Sequence, residues 1–342
     1  MKGFVTTPPG HSRHATTKLS AVAPCYNEAA VLVEFHGRMS AALSIVTDDY
    51  EIVLVNDGSS DDSWPVLLSL AAEDPHVVAI NLSRNHGHQL ALTAGLAYCR
   101  GERVLIIDAD LQDPPELLSE MMALCDGGAD IVYGKRRSRA GESIFKRLTA
   151  FLFYRVLNLF TDQHIPEDTG DFRLVTRRVL DVLNSMPENH RFIRGMISWV
   201  GFKQVPFLYD RSPRFAGESK YQVRKMLRFA LDAITSFSVR PLRLAFYAGG
   251  ILCAFSILLL AFSIGAYFVD RTIRGWTSIM AVLLFFLAAQ FLVLGLIGEY
   301  VGRLYMETKH RPLFIVEDVV AGGRPLTRSA VSDSGIQAGY ER

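Results

Sequence analysis

Residues Val104–Glu116 read VLIIDADLQDPPE and join an apolar strand signal to a pair of carboxylates. Four β-prone apolar residues lead into Asp108 and Asp110, and the diproline that follows stops the strand and favours the first turn of a helix. Carboxylates at the carboxyl end of a buried strand lie where open α/β sheets bind their ligands. Because Gln112 can add an amide oxygen, the group suits a hard divalent cation that holds a diphosphate. An isolated Asp-x-Asp is equally compatible with a solvated turn, so the interpretation depends on the neighbouring motifs.

The chain around this motif alternates short apolar strands with helical patterns between Leu19 and Val132. Such a rhythm is typical of a parallel sheet with helices on both faces, and it predicts an α/β domain. The predicted strands are Leu19–Ala23, Glu51–Val55, Val77–Leu82 and Val104–Ile107, and the predicted helices are Glu28–Val46, Ser60–Ala72 and Gly87–Arg100.

Polar residues follow the first two predicted strands, at the same edge of the sheet as Asp108. Pro24–Glu28 reads PCYNE and Asn56–Asp61 reads NDGSSD. An acidic residue there can accept a hydrogen bond from a base or a ribose hydroxyl, and a tyrosine ring can stack on a base. A turn and a helix cap within the second motif are compatible with the same residues. The sequence has neither a Walker loop nor a Gly-x-Gly-x-x-Gly after the first strand, so diphosphate binding would rest on a metal and on cations.

A dense basic run follows the strand signal at Ile131–Tyr133, which we interpret as the strand beside the one that carries the carboxylates. Gly134–Arg139 reads GKRRSR, and Lys146 and Arg147 come shortly after. Such runs usually form a solvated face. At least one arginine here is nevertheless expected to reach the cleft, because a guanidinium bonds two phosphate oxygens at once.

Three further segments carry polar side chains. Ser83–His88 reads SRNHGH, and its histidines are expected to be polar loop residues rather than metal ligands. Asp168–Leu174 reads DTGDFRL and predicts a short irregular segment, whose acids orient a sugar, act as a base or cap the arginines that follow. Phe215–Tyr221 reads FAGESKY and is typical of a flexible lid that carries a cation.

The C-terminal part of the chain is expected to meet a membrane. Leu244–Val269 and Gly275–Gly298 have no charged residue, and each is long enough to cross a ~30 Å hydrocarbon core. Two buried helices of a large soluble core are the alternative. Basic residues flank the pair of segments, which predicts that both chain ends lie in the cytoplasm. Val223–Phe237 has the pattern of a basic amphipathic helix in the membrane interface, with packing on the soluble domain as the alternative.

Composition narrows the classes of function. The 342 residues carry a formal net charge of +1, which gives no long-range field that would attract nucleic acid. The four cysteines show no metal or disulfide spacing and fit a reducing compartment. No signal peptide is recognised, and residues 1–17 are expected to form a flexible tail.

Together these motifs resemble the membrane-anchored polyprenyl-phosphate glycosyltransferases of glycosyltransferase family 2, which include the bactoprenol-phosphate glucosyltransferases and the dolichyl-phosphate mannose synthases. The resemblance covers about Lys18–Val319 and rests on the order and combination of the motifs quoted above. It implies an α/β GT-A fold with a Rossmann-like, mostly parallel sheet, amphipathic interfacial helices and a two-helix transmembrane hairpin. It also implies a nucleotide-sugar donor, a polyprenyl phosphate acceptor, Mg²⁺ or Mn²⁺, and assembly as a homotetramer.

The resemblance assigns roles to individual residues, and two of these assignments stay open. Arg137 or Arg139 can replace Arg136, and the family's catalytic acid can be Asp168 or Asp171. The implied contacts are Pro24, Tyr26, Glu28, Asp57, Asp108, Ala109 and Lys135 for the nucleotide sugar; Asp108, Asp110 and Gln112 for the metal; Arg136, Arg137, Arg139, Arg147, Ser219 and Lys220 for the acceptor phosphate and its mobile loop; and Asp168, Asp171, Arg136 and Arg147 for catalysis.

The two apolar segments and the sequence of Thr169–Leu174 indicate the subclass within the family, because they look most like the bactoprenol-phosphate glucosyltransferases. We therefore expect UDP-glucose as the donor, with UDP-aminoarabinose or GDP-mannose as alternatives. The acceptor phosphate would attack the anomeric carbon in line and invert it, giving a polyprenyl-phosphate-linked sugar for cell-envelope glycans at the inner (plasma) membrane. Two other classes are the alternatives: a processive polysaccharide synthase, whose Gln-x-x-Arg-Trp motif is missing from the sequence, and a non-catalytic scaffold that binds nucleotide sugars in the membrane.

The expected organisation has six parts along the chain. They are a flexible tail over 1–17, a GT-A domain over 18–221, an amphipathic juxtamembrane region over 222–243, two transmembrane helices within 244–302, a cytoplasmic segment over 303–320 and a disordered tail over 321–342.

Overall fold

The computed structural model describes residues 17–137, 169–189, 191–210 and 276–325, together with scattered positions between 242 and 262. The amphipathic helix expected at Val223–Phe237 lies outside the described residues, and so do five candidate site residues. Those five are Arg139, Arg147, Asp168, Ser219 and Lys220.

One sheet of nine strands organises the described residues. The strands are β1 (Thr17–Cys25), β2 (Tyr50–Asn56), β3 (Val77–Leu82), β4 (Gly101–Ile106), β5 (Ile131–Arg136), β6 (Thr169–Thr176), β7 (Gln204–Tyr209), β8 (Val316–Ala321) and β9 (Arg324–Pro325). Their order across the sheet is β7-β5-β6-β4-β1-β2-β3-β8-β9. Strands β1 to β4 pair in parallel, as do β5 and β7, whereas β6 and β8 run antiparallel to their neighbours. The predicted α/β architecture with a mostly parallel sheet is confirmed.

The α-helices with described bounds connect these strands or follow them. They are α1 (Ala29–Val46), α2 (Ser63–Glu73), α3 (His88–Tyr98), α4 (Leu118–Asp126), α5 (Arg177–Ser185), α6 (Ile193–Trp199) and α7 (Trp276–Thr308), with a short 3₁₀ turn at Pro115–Leu117 before α4. The sheet and α1 to α6 belong to one compact unit, and α7 belongs to a second.

The core lies around the central strands of the sheet. Every residue of β2 is buried, and in β1 only Lys18 is exposed, as expected for parallel strands covered on both faces. Helix α1 contributes a stripe at helical spacing, which includes Leu32, Phe35 and Met39, each with no exposed surface. Burying a side chain of this kind stabilises the fold by roughly 1.5–3 kcal/mol. Because the parallel strands are packed in this core, the sheet edge formed by their carboxyl ends is held in place.

Two expectations about the sheet are wrong. The segment Asp168–Leu174 was expected to be irregular, but Thr169–Thr176 forms β6. The basic run was placed after a neighbour of β4, yet β6 lies between β4 and β5 and pairs with both. Both errors have one cause: an antiparallel strand that arrives late in the chain was not recognised.

Two strands lie near the C-terminus. The disordered tail expected over 321–342 is wrong at its start, because Val316–Ala321 forms β8 on the outer edge of β3 and Arg324–Pro325 forms β9 beside it. The cytoplasmic location of 303–320 stays a prediction. Residues 326–342 lie outside the described residues.

Two described helices are long and apolar enough to cross a membrane by length and composition, α1 and the Phe285–Thr308 part of α7. Helix α1 is a core helix of the sheet unit, because it packs its apolar stripe beside the central strands. In the second helix, no residue of the apolar window is buried. Helix α7 covers the second predicted span from Trp276 onward and extends beyond it to Thr308. The first predicted span is described only at scattered helical positions, so the hairpin stays a prediction.

Candidate active site

Side chains from separate motifs meet beyond the carboxyl end of β4. Asp108 follows that strand, and β6 runs antiparallel to it with Arg173 opposite the last residue of β4. The start of β6, with Asp171, therefore lies beside Asp108. Ligand atoms of His88, Asp108 and Asp171 all lie within 4.8 Å of one another.

Asp171 is buried and accepts hydrogen bonds from two helices. Arg194 of α6 donates from Nε to Oδ1 at 2.6 Å and from Nη2 to Oδ2 at 3.0 Å. His88 Nε2 lies 3.1 Å from Oδ2, and Gln89 Nε2 donates to the same oxygen at 3.4 Å. The side-chain oxygen of Gln89 accepts a hydrogen bond from the Ile193 amide at 2.9 Å. Asp171 thus fixes the starts of α3 and α6 against β6.

The charges of this cluster shift its protonation equilibria. Burial raises the pKa of Asp171, but Arg194 and the hydrogen bond with His88 outweigh it and hold that pKa well below its usual range. Burial lowers the pKa of His88, yet the hydrogen bond to Asp171 and the charges of Asp108 and Asp171 raise it to about 9. Burial, opposed by the charge of His88 and reinforced by nearby carboxylates, raises the pKa of Asp108 to about 6. At neutral pH an ionised Asp171 therefore lies beside an imidazolium.

The polar loop role expected for His88 is wrong. His88 is the first residue of α3, within the predicted helix Gly87–Arg100, and its Nε2 lies 3.4 Å from Asp108 Oδ1 in addition to its contact with Asp171. A signal for this position was present in the sequence, because a histidine that directly follows Gly87 opens a helix beside the cleft.

A second group lies at the same edge and contains Arg136, Tyr209 and Asp113. The Tyr209 hydroxyl donates to Asp113 Oδ1 at 2.5 Å, and the Arg136 side chain is hydrogen-bonded to Tyr209. Gly170 borders this group, since a Cβ there would lie 3.5 Å from Arg136 Nη2 and 3.8 Å from Asp113 Oδ2. Because Gly170 precedes Asp171, the two groups are neighbours.

The structure separates the residues of the basic run. Arg136 is partly buried at the end of β5, whereas the Arg137 side chain is 63% exposed and forms an ion pair with Asp210 at 3.6 Å. Lys135 is exposed on β5. The side chain of Ala109 packs in the core, which leaves its backbone for any ligand contact. Among the described arginines of the basic run, Arg136 is the one that lies beside the carboxylates of the candidate site.

Asp57 is buried and holds the loop between β3 and α3. Its Oδ1 accepts a hydrogen bond from the His86 amide at 2.7 Å, and its Oδ2 accepts one from the Gly87 amide at 3.0 Å. Burial raises the pKa of Asp57, and the two backbone hydrogen bonds oppose that rise. Asp57 thus positions the start of α3, and with it His88.

Three predicted nucleoside contacts lie at or just beyond the end of β1: Pro24, Tyr26 and Glu28. The Tyr26 side chain is 43% exposed, which leaves its ring free to stack on a base. Asn27 between them has a φ of 55° and accepts a hydrogen bond from the Ser60 amide at 2.9 Å. This bond joins the β1–α1 loop to the β2–α2 loop, so two of the predicted nucleoside motifs are neighbours.

The expected metal ligands lie in one turn and beside it. Asp110 Oδ1 accepts a hydrogen bond from the Gln112 amide at 3.1 Å. Asp108 Oδ1 is buried and has no hydrogen-bond partner among the described residues, although His88 Nε2 lies 3.4 Å away. A buried carboxylate oxygen that accepts no hydrogen bond fits a hard cation such as Mg²⁺ or Mn²⁺. The cluster with His88 and Asp171 would add one nitrogen and one oxygen ligand, and Asp108 is common to both sets.

Arg194, Tyr209 and Asp113 were not singled out from the sequence. Tyr209 is 96 positions from Asp113, and Arg194 is 23 positions from Asp171. Residues so far apart in the chain produce no local sequence pattern that would indicate their contact. Asp113 belongs to the quoted acidic motif, but the sequence gives no sign that a tyrosine would reach it.

Comparison with known proteins identifies the family. Residues 20–183 match the family described as Glycosyl transferase family 2. The chain is 46% identical over 312 residues to the uncharacterized glycosyltransferase YkcC of Bacillus subtilis (strain 168), covering 90% of this chain and 94% of that protein. It is 38% identical over 308 residues to the prophage bactoprenol glucosyl transferase homolog of Escherichia coli (strain K12), covering 88% and 99%. Among solved structures, S. aureus TarS 1-349 in complex with UDP-GlcNAc matches with a TM-score of 0.45 and 17% identity, over 64% of this chain and 66% of that one.

The fold and the relatives together define a glycosyltransferase. The chain belongs to glycosyltransferase family 2. The family membership and the enzyme class predicted from the motifs are confirmed.

Proposed function

We propose that this enzyme transfers a hexose from a nucleotide sugar, UDP-glucose, to a polyprenyl phosphate such as undecaprenyl phosphate, with inversion at the anomeric carbon. The observation that carries the proposal is the meeting of Asp108, Asp171 and His88 within 4.8 Å, with Arg136 close by at the same sheet edge. The relatives named bactoprenol glucosyl transferase support the glucosyl group and the lipid acceptor.

The nucleotide sugar would bind along the carboxyl ends of the parallel strands. Tyr26 offers an exposed ring for the base, and Pro24 and Glu28 flank it. Asp57 shapes this end through the His86–Gly87 backbone, and Asp108 would contact the nucleotide beside the diphosphate. Ala109 would contribute backbone contacts, and Lys135 would add positive charge at the rim.

Asp108, Asp110 and Gln112 would hold Mg²⁺ or Mn²⁺. Asp171 is a further candidate ligand, and His88 would be one only in its neutral form, since an imidazolium has no free lone pair. The ion, when bound, supplies positive charge that neutralises the diphosphate leaving group.

The acceptor needs orientation more than deprotonation. A phosphate monoester is already anionic near neutral pH, so a strong general base is unnecessary. Asp171 supports this view, because its low pKa makes it a weak base and both of its oxygens are hydrogen-bonded. We assign Asp171 to alignment of the site, and Arg136 to the acceptor phosphate. Arg139, Arg147, Asp168, Ser219 and Lys220 keep the roles that the family resemblance implies.

A lipid acceptor requires the site to work at a membrane. Helix α7 is apolar along most of its length, and it is the candidate anchor. We propose an inner-membrane protein with two spans, a cytoplasmic catalytic domain and cytoplasmic termini, assembled as a homotetramer.

Transfer of radiolabelled sugar tests the proposal. Purified full-length protein in detergent would receive a panel of UDP- and GDP-sugars, undecaprenyl phosphate, and Mg²⁺ or Mn²⁺. The expected result is lipid-linked label from UDP-glucose that disappears with chelator and with Asp110→Ala. Glu120→Ala, which removes an exposed acid of α4, is the matched control and should retain transfer.

Other outcomes would change the conclusion in defined ways. Label from UDP-aminoarabinose or GDP-mannose instead would keep the reaction and correct the donor. Nucleotide-sugar binding by folded protein without lipid-linked product from any donor would favour the non-catalytic scaffold.

A further inference from the structure

Arg136 and Tyr209 end two neighbouring strands and face each other in register. Strands β5 and β7 are parallel, and Arg136 is the partner of Tyr209 at their carboxyl ends. The Arg137 amide donates to the Tyr209 carbonyl at 2.9 Å, so the backbone pairing continues past the side-chain contact. The two side chains therefore start from a rigid pair of strand ends rather than from loops.

Tyr209 connects Arg136 to Asp113. The tyrosine is 3% exposed and Asp113 is 1% exposed. The Tyr209 hydroxyl donates to Asp113 Oδ1 at 2.5 Å and is also hydrogen-bonded to the Arg136 side chain. A phenol can donate one hydrogen bond while it accepts another, whereas a guanidinium only donates. The direction of the chain is therefore Arg136 to Tyr209 to Asp113.

One glycine leaves the space that the tyrosine ring occupies. A Cβ at Gly134 would lie 2.8 Å from Tyr209 Cε1 and 2.8 Å from Phe172 Cδ1, closer than packed carbon atoms approach. The tyrosine ring can lie across β5 only because residue 134 has no side chain. A Cβ at Gly170 would make only an ordinary contact with Arg136 Nη2, at 3.5 Å. The position of the tyrosine ring is therefore built into the backbone of β5.

Arg136 retains a donor that these contacts do not satisfy. Its Nε is buried and has no hydrogen-bond partner among the described residues. A buried guanidinium donor without an acceptor is unfavourable, and an anionic oxygen satisfies it. The chain through Tyr209 thus holds one part of the guanidinium while another part stays available for an anion.

We propose that Tyr209 and Asp113 are positioning residues that orient the Arg136 guanidinium toward the phosphate of the acceptor. The inference rests on the proposed function for the identity of that phosphate. Neither residue touches the reacting atoms; each acts through Arg136.

Tyr209→Phe isolates the effect, because it removes the hydroxyl and keeps the ring that packs against Gly134. In the transfer assay, KM for undecaprenyl phosphate should rise about tenfold, equivalent to about 1.4 kcal/mol, while KM for the donor stays unchanged. Asp113→Asn keeps an acceptor for the hydroxyl and should raise the acceptor KM by a smaller factor. Tyr133→Phe removes the hydroxyl of a different tyrosine, which precedes Arg136 on β5. Both KM values of this control should match those of the wild type. Equal rises in both KM values, or an unchanged acceptor KM, would overturn the proposal.

A second measurement does not depend on turnover. Phenylglyoxal modifies accessible arginines, and mass spectrometry reports the modification of Arg136. Dodecyl phosphate in an uncharged detergent should protect Arg136, and the protecting concentration should rise about tenfold in Tyr209→Phe but not in Tyr133→Phe. Equal protection midpoints in wild type and Tyr209→Phe, or no protection in the wild type, would overturn the inference. Protection that shifts as expected in a protein without transfer activity would retain the positioning roles and refute the proposed reaction.

Discussion

Arg194 donates two parallel hydrogen bonds to the Asp171 carboxylate, Nε to Oδ1 at 2.6 Å and Nη2 to Oδ2 at 3.0 Å. Bidentate pairs of this kind fix both the position and the plane of the carboxylate. The same carboxylate holds His88 3.1 Å away. One buried acid therefore holds two cations, of which His88 also lies beside Asp108, and this is a different task from taking a proton.

Replacing Asp171 tests this alignment. Asp171→Asn removes the charge that both cations share, and we expect kcat to fall by about 100-fold or more and stability to drop by about 2 kcal/mol. Arg194→Lys keeps the positive charge but loses the fork, so kcat should fall by about tenfold. Steady-state kinetics and thermal unfolding measure both effects. Wild-type kcat in Arg194→Lys would contradict the alignment role.

Protonation of His88 should make stability depend on pH. Its folded pKa of about 9 lies above the ordinary value of 6.5, so the stabilisation is complete below pH 6.5 and is lost as the pH rises through about 9. Because 44% of the side chain is exposed, solvent screening limits the contribution to about 1 kcal/mol. Thermal unfolding in EDTA should show the advantage of wild type over His88→Gln shrinking between pH 6.5 and 9. The exposed control His310→Gln should show no such trend, and an advantage that grows with pH would refute the assignment.

Gly58 should be intolerant of any side chain. Its φ of +61° is a left-handed conformation, and a Cβ there would lie 2.5 Å from the backbone carbonyl carbon of Arg84 and the amide nitrogen of Asn85. Backbone atoms cannot move aside as a flexible side chain can, so Gly58→Ala should destabilise the protein by about 3 kcal/mol or more. Gly37→Ala in α1 is the control, because nothing lies within 4 Å of the added Cβ; it should stabilise by about 0.5–1 kcal/mol. Similar melting temperatures for the two variants would contradict the close approach.

Glu116 belongs to the acidic motif but should not be needed for catalysis. It accepts two hydrogen bonds from Arg38 of α1, at 2.7 Å and 2.9 Å. The Glu116 side chain is 53% exposed, so Glu116→Gln should cost about 0.5 kcal/mol of stability and leave kcat within about twofold of wild type. The transfer assay checks this, and a tenfold or greater loss of kcat would place Glu116 in the reaction.

Local patterns predicted the parallel half of the sheet well. Val77–Leu82 was predicted with the bounds that the structure has, and Glu28–Val46 began one residue too early. These elements are recognisable because their apolar residues repeat at strand or helix spacing and end in turn residues. The same patterns placed Asp108 at a strand end.

Local sequence patterns did not predict the antiparallel strands or the side-chain contacts across the candidate site. Strand β6 contains Asp171 and Arg173, which look like surface residues in the sequence but are 3% and 2% exposed in the fold. Charged side chains can be buried when partners arrive from elsewhere in the chain. The partners of Asp171 come from α3, 83 positions away, and from α6. Only the folded chain shows such pairings, and for that reason Arg194, Tyr209 and the carboxylate partners of His88 were missed.

Strand β8 completes the edge of the sheet, although the ribosome makes it after the long helix α7. Its residues, Val316–Ala321, pair with the outer edge of β3 and come after α7 in the chain. Until the ribosome has made them, β3 presents an edge of unpaired amides and carbonyls, which invites association with other strands. A nascent chain released at the end of α7 would carry that open edge. The sheet unit, most of which precedes α7 in the chain, is therefore completed only after α7 has been made.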